Sequence, residues 1–114
     1  MTGNLSDENS QRITLDEISE NVINVHEKQN WRQRSPEVRM LYLMSEVGEL
    51  ATTLIEVSNS QGDLTNDSKA RVSEEMVDVI WNVCALAIGF GLDLNAAAKL
   101  KLKAMNARTW DGPK

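Results

Sequence analysis

The chain has little of what several protein classes require. It holds one cysteine, Cys84, so no intrachain disulfide can form and a reducing cytoplasm is the expected setting. Flanked by Val83, Ala85 and Leu86, that thiol reads as a small core residue and not as a reactive group. With two prolines, six glycines and only short β-branched runs, the punctuation of a β fold is missing, and abundant helix formers point to an all-α protein. No apolar run approaches the roughly 20 residues that span a bilayer, and the N-terminus is polar, unlike a signal peptide. Positive charge is also scarce, with 12 Lys and Arg against 17 Asp and Glu, a net charge of −5. That balance argues against nucleic acid or an anionic membrane as partner, since both call for a basic surface.

What is present is helical periodicity. At 114 residues the chain is expected to be one domain, burying roughly 65% of its unfolded surface. Residues 1–12 are polar and aperiodic and read as a flexible arm, 13–110 as a single helical domain and 111–114 as a tail. Thr14 and Glu17 form a capping-box pattern, followed by Ile18, Val22 and Val25 at helical spacing to about Asn30. Ser35-Pro36-Glu37 opens a second helix whose apolar stripe is Met40, Leu43, Val47, Leu50 and Leu54. A turn-rich link over 59–67 leads to a third helix from Asp67 or Ser68 to Gly89, with Val72, Met76, Val79, Val83 and Leu86 on one stripe. Gly89 and Gly91 end it, and Asp93 caps a fourth helix to about Arg108. Four helices with short links predict a compact antiparallel four-helix bundle.

Acidic pairs stand out against this background. Glu46 and Glu49 lie three apart on the second helix, Glu75 and Asp78 three apart on the third, so each pair shares a helix face. On the helical wheel Arg39, Tyr42, Glu46, Glu49 and Thr53 fall roughly 80–160° from the apolar stripe. Arg71, Glu74, Glu75, Asp78 and Asn82 form a matching flank about 100–140° from theirs. Both flanks are expected to border the core, with Gly48 leaving room beside them. A solvated helix face is the competing explanation for either pair alone. Opposed carboxylates repel unless a cation sits between them, and oxygen-only ligands favour Mg²⁺, or Mn²⁺ in its place. Zinc lacks nitrogen and sulfur ligands here, and a ferritin-like di-iron site lacks its Glu-x-x-His, the one histidine, His26, being in neither motif. His26 reads as a surface or helix-end residue.

These motifs, "LYLMSEVGELA" (41–51), "SEEMVDVIWNVCALA" (73–87) and "NARTW" (106–110), resemble the MazG-like all-α nucleoside triphosphate pyrophosphohydrolases, which include MazG, dimeric dUTPases and dCTP pyrophosphatases. The resemblance covers about two-thirds of the chain. It implies that Glu46, Glu49, Glu75 and Asp78 bind Mg²⁺, and that an NTP or dNTP is converted to the monophosphate and pyrophosphate. It also implies a homodimer or dimer of dimers in which helices of two subunits complete each site. Crowded like charges raise the pKa of one carboxyl, so the general base is expected within the cluster, with Glu49 the candidate and Glu46 or Glu74 the alternatives.

Further expectations concern the nucleotide. Lys99, Lys103, Asn106 and Trp110 fall on one stripe of the fourth helix and just beyond it, suited to phosphate and sugar; Arg108 lies opposite. The segment Thr109 to Gly112 matches one that orders over substrate in relatives. Trp31 matches an aromatic that stacks on the base in similar enzymes, Asn82 is placed to hydrogen-bond a base or sugar, and Trp81 is expected at a subunit contact. Two other functions share these features: phosphoribosyl-ATP pyrophosphohydrolase, and a non-catalytic nucleotide-binding helical dimer.

Overall fold

The computed structural model describes residues 11–59 and 64–109. The expected arm (mostly 1–10), part of the second link, Trp110 and the tail 111–114 lie outside them. Four helices and no strands are found among the described residues: α1 (Leu15–Lys28), α2 (Pro36–Asn59), α3 (Asn66–Phe90) and α4 (Leu94–Ala107).

The caps follow local chemistry. The Thr14 hydroxyl accepts from the Glu17 N–H at 3.1 Å, but Glu17 does not reach back to the Thr14 backbone as a full capping box would; its Oε1 instead accepts from that hydroxyl at 3.4 Å. Ser35 caps α2 through the Val38 N–H at 3.2 Å, and Asp93 caps α4 through the Ala96 N–H at 3.0 Å. Thr65, not Asp67 or Ser68, opens α3 by accepting from the Ser68 N–H at 3.1 Å. Gly89 lies inside α3. The helix ends at Gly91, whose φ of 67° allows Leu92 N–H to bond Ala87 O at 2.8 Å and Gly91 N–H to bond Ile88 O at 3.1 Å. Asn30, with φ of 60°, ends α1 by the same geometry: Trp31 N–H bonds His26 O at 2.7 Å and Asn30 N–H bonds Glu27 O at 3.2 Å. This turn lays Trp31 beside His26.

Helices α2 and α3 run antiparallel, since Arg39 at the start of α2 bonds Ala85 near the end of α3 and Glu56 at the far end bonds Arg71 near the start. Which faces meet differs from expectation. Arg39, Thr53 and Val57 are the buried residues of α2, whereas Met40, Val47 and Leu54 of the expected core stripe are exposed, Val47 by 48%. On α3, Met76 and Val83 of the expected stripe are likewise exposed, beside Val77 and Ile80. The covered strips are mixed: Leu43 and Leu50 of the expected stripe on α2, and Val72, Val79 and Leu86 on α3, are half-buried alongside residues of the polar flanks. The other stripe residues turn outward. The dry core lies instead between α1 and α3, where Val22 and Cys84, both 0% exposed, and Ala85 are packed by Leu15, Ile18, Trp81, Ile88 and Leu94. Trp81 is part of this contact, its Nε1 donating to Asn21 Oδ1 at 2.9 Å, so it is engaged within the chain. Helix α4 leaves α3 through a 112° bend, packs against α1 and buries no residue fully, so it does not lie alongside α2 and α3 as a fourth antiparallel member. No single helix among the described residues is long and apolar enough to cross a membrane.

One side chain ties the α1–α2 link to α3. Arg39, 6% exposed, donates to Ala85 O at 2.8 Å, to Arg34 O at 3.2 Å and to Arg32 O at 3.3 Å. It passes across Gly89, where an added Cβ would stand 3.1 Å from Arg39 Cδ and would press the side chain aside by a few tenths of an ångström. Arg39→Met is expected to leave three carbonyls without this donor and to lower unfolding free energy by about 2–4 kcal/mol. Gly89→Val should cost more than Gly89→Ala; urea denaturation checks both.

Candidate metal centre

The polar contact between α2 and α3 concentrates the acids. Glu46, Glu75 and Asp78 each offer an oxygen within 4.8 Å of the other two. Glu46 and Glu75 are half-buried, and each has one carboxylate oxygen, Oε2, buried without a hydrogen-bond partner. Buried oxygens of this kind normally have a donor or an ion beside them. Burial first, then a side-chain hydrogen bond with Glu49, then the charges of Glu49, Asp78 and Glu75 push the Glu46 carboxyl up to about 7. Glu49 is exposed and stands outside the converging three, joined to them through Glu46. Glu74 is exposed beside Asp78 on a shallow surface, as a solvated residue would be. Gly48 does not make room for this cluster, because a Cβ there would meet nothing within 4 Å.

A cleft of about 410 Å³ adjoins the acids. Residues Arg39, Tyr42 and Glu46 follow one another along its α2 wall, and Ala85, Asn82, Trp81 and Asp78 along its α3 wall. With a rise of about 1.5 Å per residue, the cleft runs about 10 Å from an arginine end to an acidic end. His26, Trp31 and Arg34 close the arginine end. His26 is buried, not on the surface; its ring meets Trp31 edge-on at 6.0 Å and tilts against Trp81 at 5.5 Å. Burial, then the charges of Arg39 and Arg34, push its pKa below the usual value, which keeps the imidazole neutral at pH 7. The Arg34 guanidinium lies over the Trp31 ring at 4.0 Å and the Tyr42 ring at 4.4 Å. Each such contact contributes about 0.5–1 kcal/mol at a partly exposed site. One face of Trp31 is therefore taken by an arginine. Asn82 lines the α3 wall with its Nδ2 bonded to Asp78 O at 2.8 Å, leaving Oδ1 as its open acceptor.

The α4 candidates are not brought to this site within the chain. Lys99, Lys103 and Asn106 are exposed and do not line the cleft, and Trp110 lies outside the described residues. Sequence reasoning placed Arg39 and Tyr42 on the acidic flank without assigning them a role, passed over Arg34, and read His26 as a surface or helix-end residue. The Asn30-Trp31 pair was the available signal, since asparagine readily takes the left-handed cap that sets Trp31 against His26.

A carboxyl whose pKa is raised on folding binds its proton more tightly in the folded chain. The Glu46 contribution to stability is therefore complete below about pH 4.5 and is lost as pH rises through about 7. Without divalent metal, Glu46→Gln should melt higher than the unaltered protein at pH 8 and close to it at pH 4.5. Thermal melts at both pH values check this.

No protein-family model matches the chain. It is 33% identical over 89 residues to the uncharacterized protein YvdC of Bacillus subtilis (strain 168), a match spanning 73% of this chain and 84% of that one. The chain belongs to the same family as YvdC.

Proposed function

We propose that the chain is a Mg²⁺-dependent pyrophosphohydrolase of the MazG-like superfamily, converting a nucleoside triphosphate, ribo or deoxy, to the monophosphate and pyrophosphate. The observation that carries this reading is the convergence of Glu46, Glu75 and Asp78 within 4.8 Å, with two buried oxygens lacking a partner. An all-oxygen donor set of this charge fits Mg²⁺ or Mn²⁺, which, when bound, neutralises phosphate charge and makes water a better nucleophile. Glu46, Glu75 and Asp78 would hold the ion, with Glu49 able to join them or remain free. As the exposed member of the cluster, Glu49 is the carboxylate best placed to take the proton of a water attacking phosphorus, while the bond to the pyrophosphate oxygen breaks. The adjoining cleft, with Trp31, Tyr42 and Trp81 on its walls and charged groups of opposite sign toward its two ends, suits a nucleotide.

Assembly belongs to the same proposal. Met40, Leu41, Met44, Val47, Leu54 and Ile55 on α2, and Met76, Val77, Ile80 and Val83 on α3, give each helix a long exposed apolar face. Helix α4 adds Leu100, 73% exposed, and Leu102. Faces of this extent support a homodimer or dimer of dimers, in which a second copy covers them and brings Lys99, Lys103 and Asn106 toward an acidic centre. A cytoplasmic setting accords with the lone, fully buried Cys84.

Pyrophosphate release from a panel of NTPs and dNTPs in Mg²⁺ tests the reading; activity with none of them sinks it. Glu49→Ala and Asp78→Ala should each lose at least a hundredfold in rate at unchanged helix content by circular dichroism. Val47→Lys with Ile80→Lys should shift the species seen by light scattering to monomer and abolish turnover together.

A further inference from the structure

We propose that Arg34 selects the nucleobase, admitting bases with an oxo-lactam edge, a carbonyl next to a ring N–H, over bases with an amino group there. This rests on the nucleotide reading above. The guanidinium has rings over it at 4.0 and 4.4 Å, and these leave its in-plane N–H groups as the polar edge. Those groups have no hydrogen-bond acceptor or carboxylate partner among the described residues, although Arg34 lines the cleft and is half-buried. Arg39 beside it is spent on three carbonyls, so Arg34 is the arginine left to meet a ligand. Its carbonyl oxygen is held by Arg39 Nε at 3.2 Å, which ties its backbone in place.

Arginine only donates. A carbonyl facing it is paired; an exocyclic amino group facing it leaves two donors opposed. Asn82 adds the complementary half: with Nδ2 held by Asp78 O, Oδ1 is an acceptor on the α3 wall for the ring N–H. An amino base offers a bare ring nitrogen there, acceptor against acceptor. Guanine, hypoxanthine, uracil and thymine carry the matching edge, whereas adenine and cytosine reverse it at both positions. The acids lie at the opposite end of the cleft, so a base held by Arg34 directs its phosphates toward Glu46 and Asp78.

Two substrate pairs isolate the oxo-for-amino exchange: ITP against ATP, and UTP against CTP. The oxo member of each pair is expected to show a kcat/KM higher by roughly tenfold to a hundredfold. Arg34→Gln supplies both donor and acceptor, and Arg34→Met keeps the stem against the rings without donors. Both should lower the ratio within each pair severalfold, the remainder being set by Asn82. A merely structural role would lower both members equally and leave the ratio as it was, which would overturn the proposal, as would equal or reversed preference in the unaltered protein. If no triphosphate is hydrolysed, the enzymatic reading fails, and calorimetric titration with the α,β-methylene analogues of the same four nucleotides in Mg²⁺ decides the selectivity. Tighter binding of the oxo analogues supports it; equal binding, or none, rejects it.

Discussion

Bringing Glu46, Glu75 and Asp78 within 4.8 Å of one another loads the α2–α3 contact with repulsion, and the rest of the structure is arranged around that contact. Each ionised pair at this distance costs about 3 kcal/mol at an effective dielectric of roughly 20, and less where solvent reaches the exposed Asp78. The chain lowers the repulsion by holding Glu46 partly protonated near neutral pH, at about 7. It does not remove it, and two carboxylate oxygens stay buried without partners. Such a contact is stable only because attractive contacts elsewhere offset it. Those are the dry packing of α1 on α3 around Val22 and Cys84, and the arginine clamp at the other end of the groove.

The clamp and the cap act on the same short link. Asn30 turns the chain so that Trp31 lies against His26, and Arg39 pins the backbone of Arg32 and Arg34 against α3. Between them, Arg34 is delivered onto the rings of Trp31 and Tyr42. The result is a cleft with opposite polarity at its two ends, cationic where the link crosses and anionic about two turns further along α2. A ligand with a neutral ring system and a metal-bound anionic tail fits that polarity. A uniformly charged one does not.

The outward apolar faces of α2, α3 and α4 follow from the same choice of contact. A helix has one strip with which to meet its antiparallel neighbour, and on α2 that strip joins Arg39, Glu46 and Thr53 of the polar flank to Leu43, Leu50 and Val57. The stripe of Met40, Val47 and Leu54 is then left for something else. Large exposed apolar surface of this kind is unfavourable in water and is normally covered.

By itself the sequence determined the four helices and most of their ends, the start of α3 at Thr65 excepted. Thr14, Ser35, Asp93 and Gly91 act as caps through side-chain or backbone chemistry that is local to a few residues, so spacing and residue type were enough to read them. The acidic pairs were legible for the same reason, because i, i+3 spacing on one helix requires no knowledge of its neighbours. Tertiary structure decided which flank faces which. It put Glu46 opposite Asp78 and sent Met76 outward, and it sank His26, although a lone histidine near a helix end reads as exposed. It alone joined Arg39 to Ala85, 46 residues away, and through that contact set Arg34 in the cleft. Periodicity records that a helix has two distinct faces. Which one is covered depends on the balance of charge repulsion, burial and hydrogen bonding between elements distant in sequence, and that balance exists only once the chain has folded.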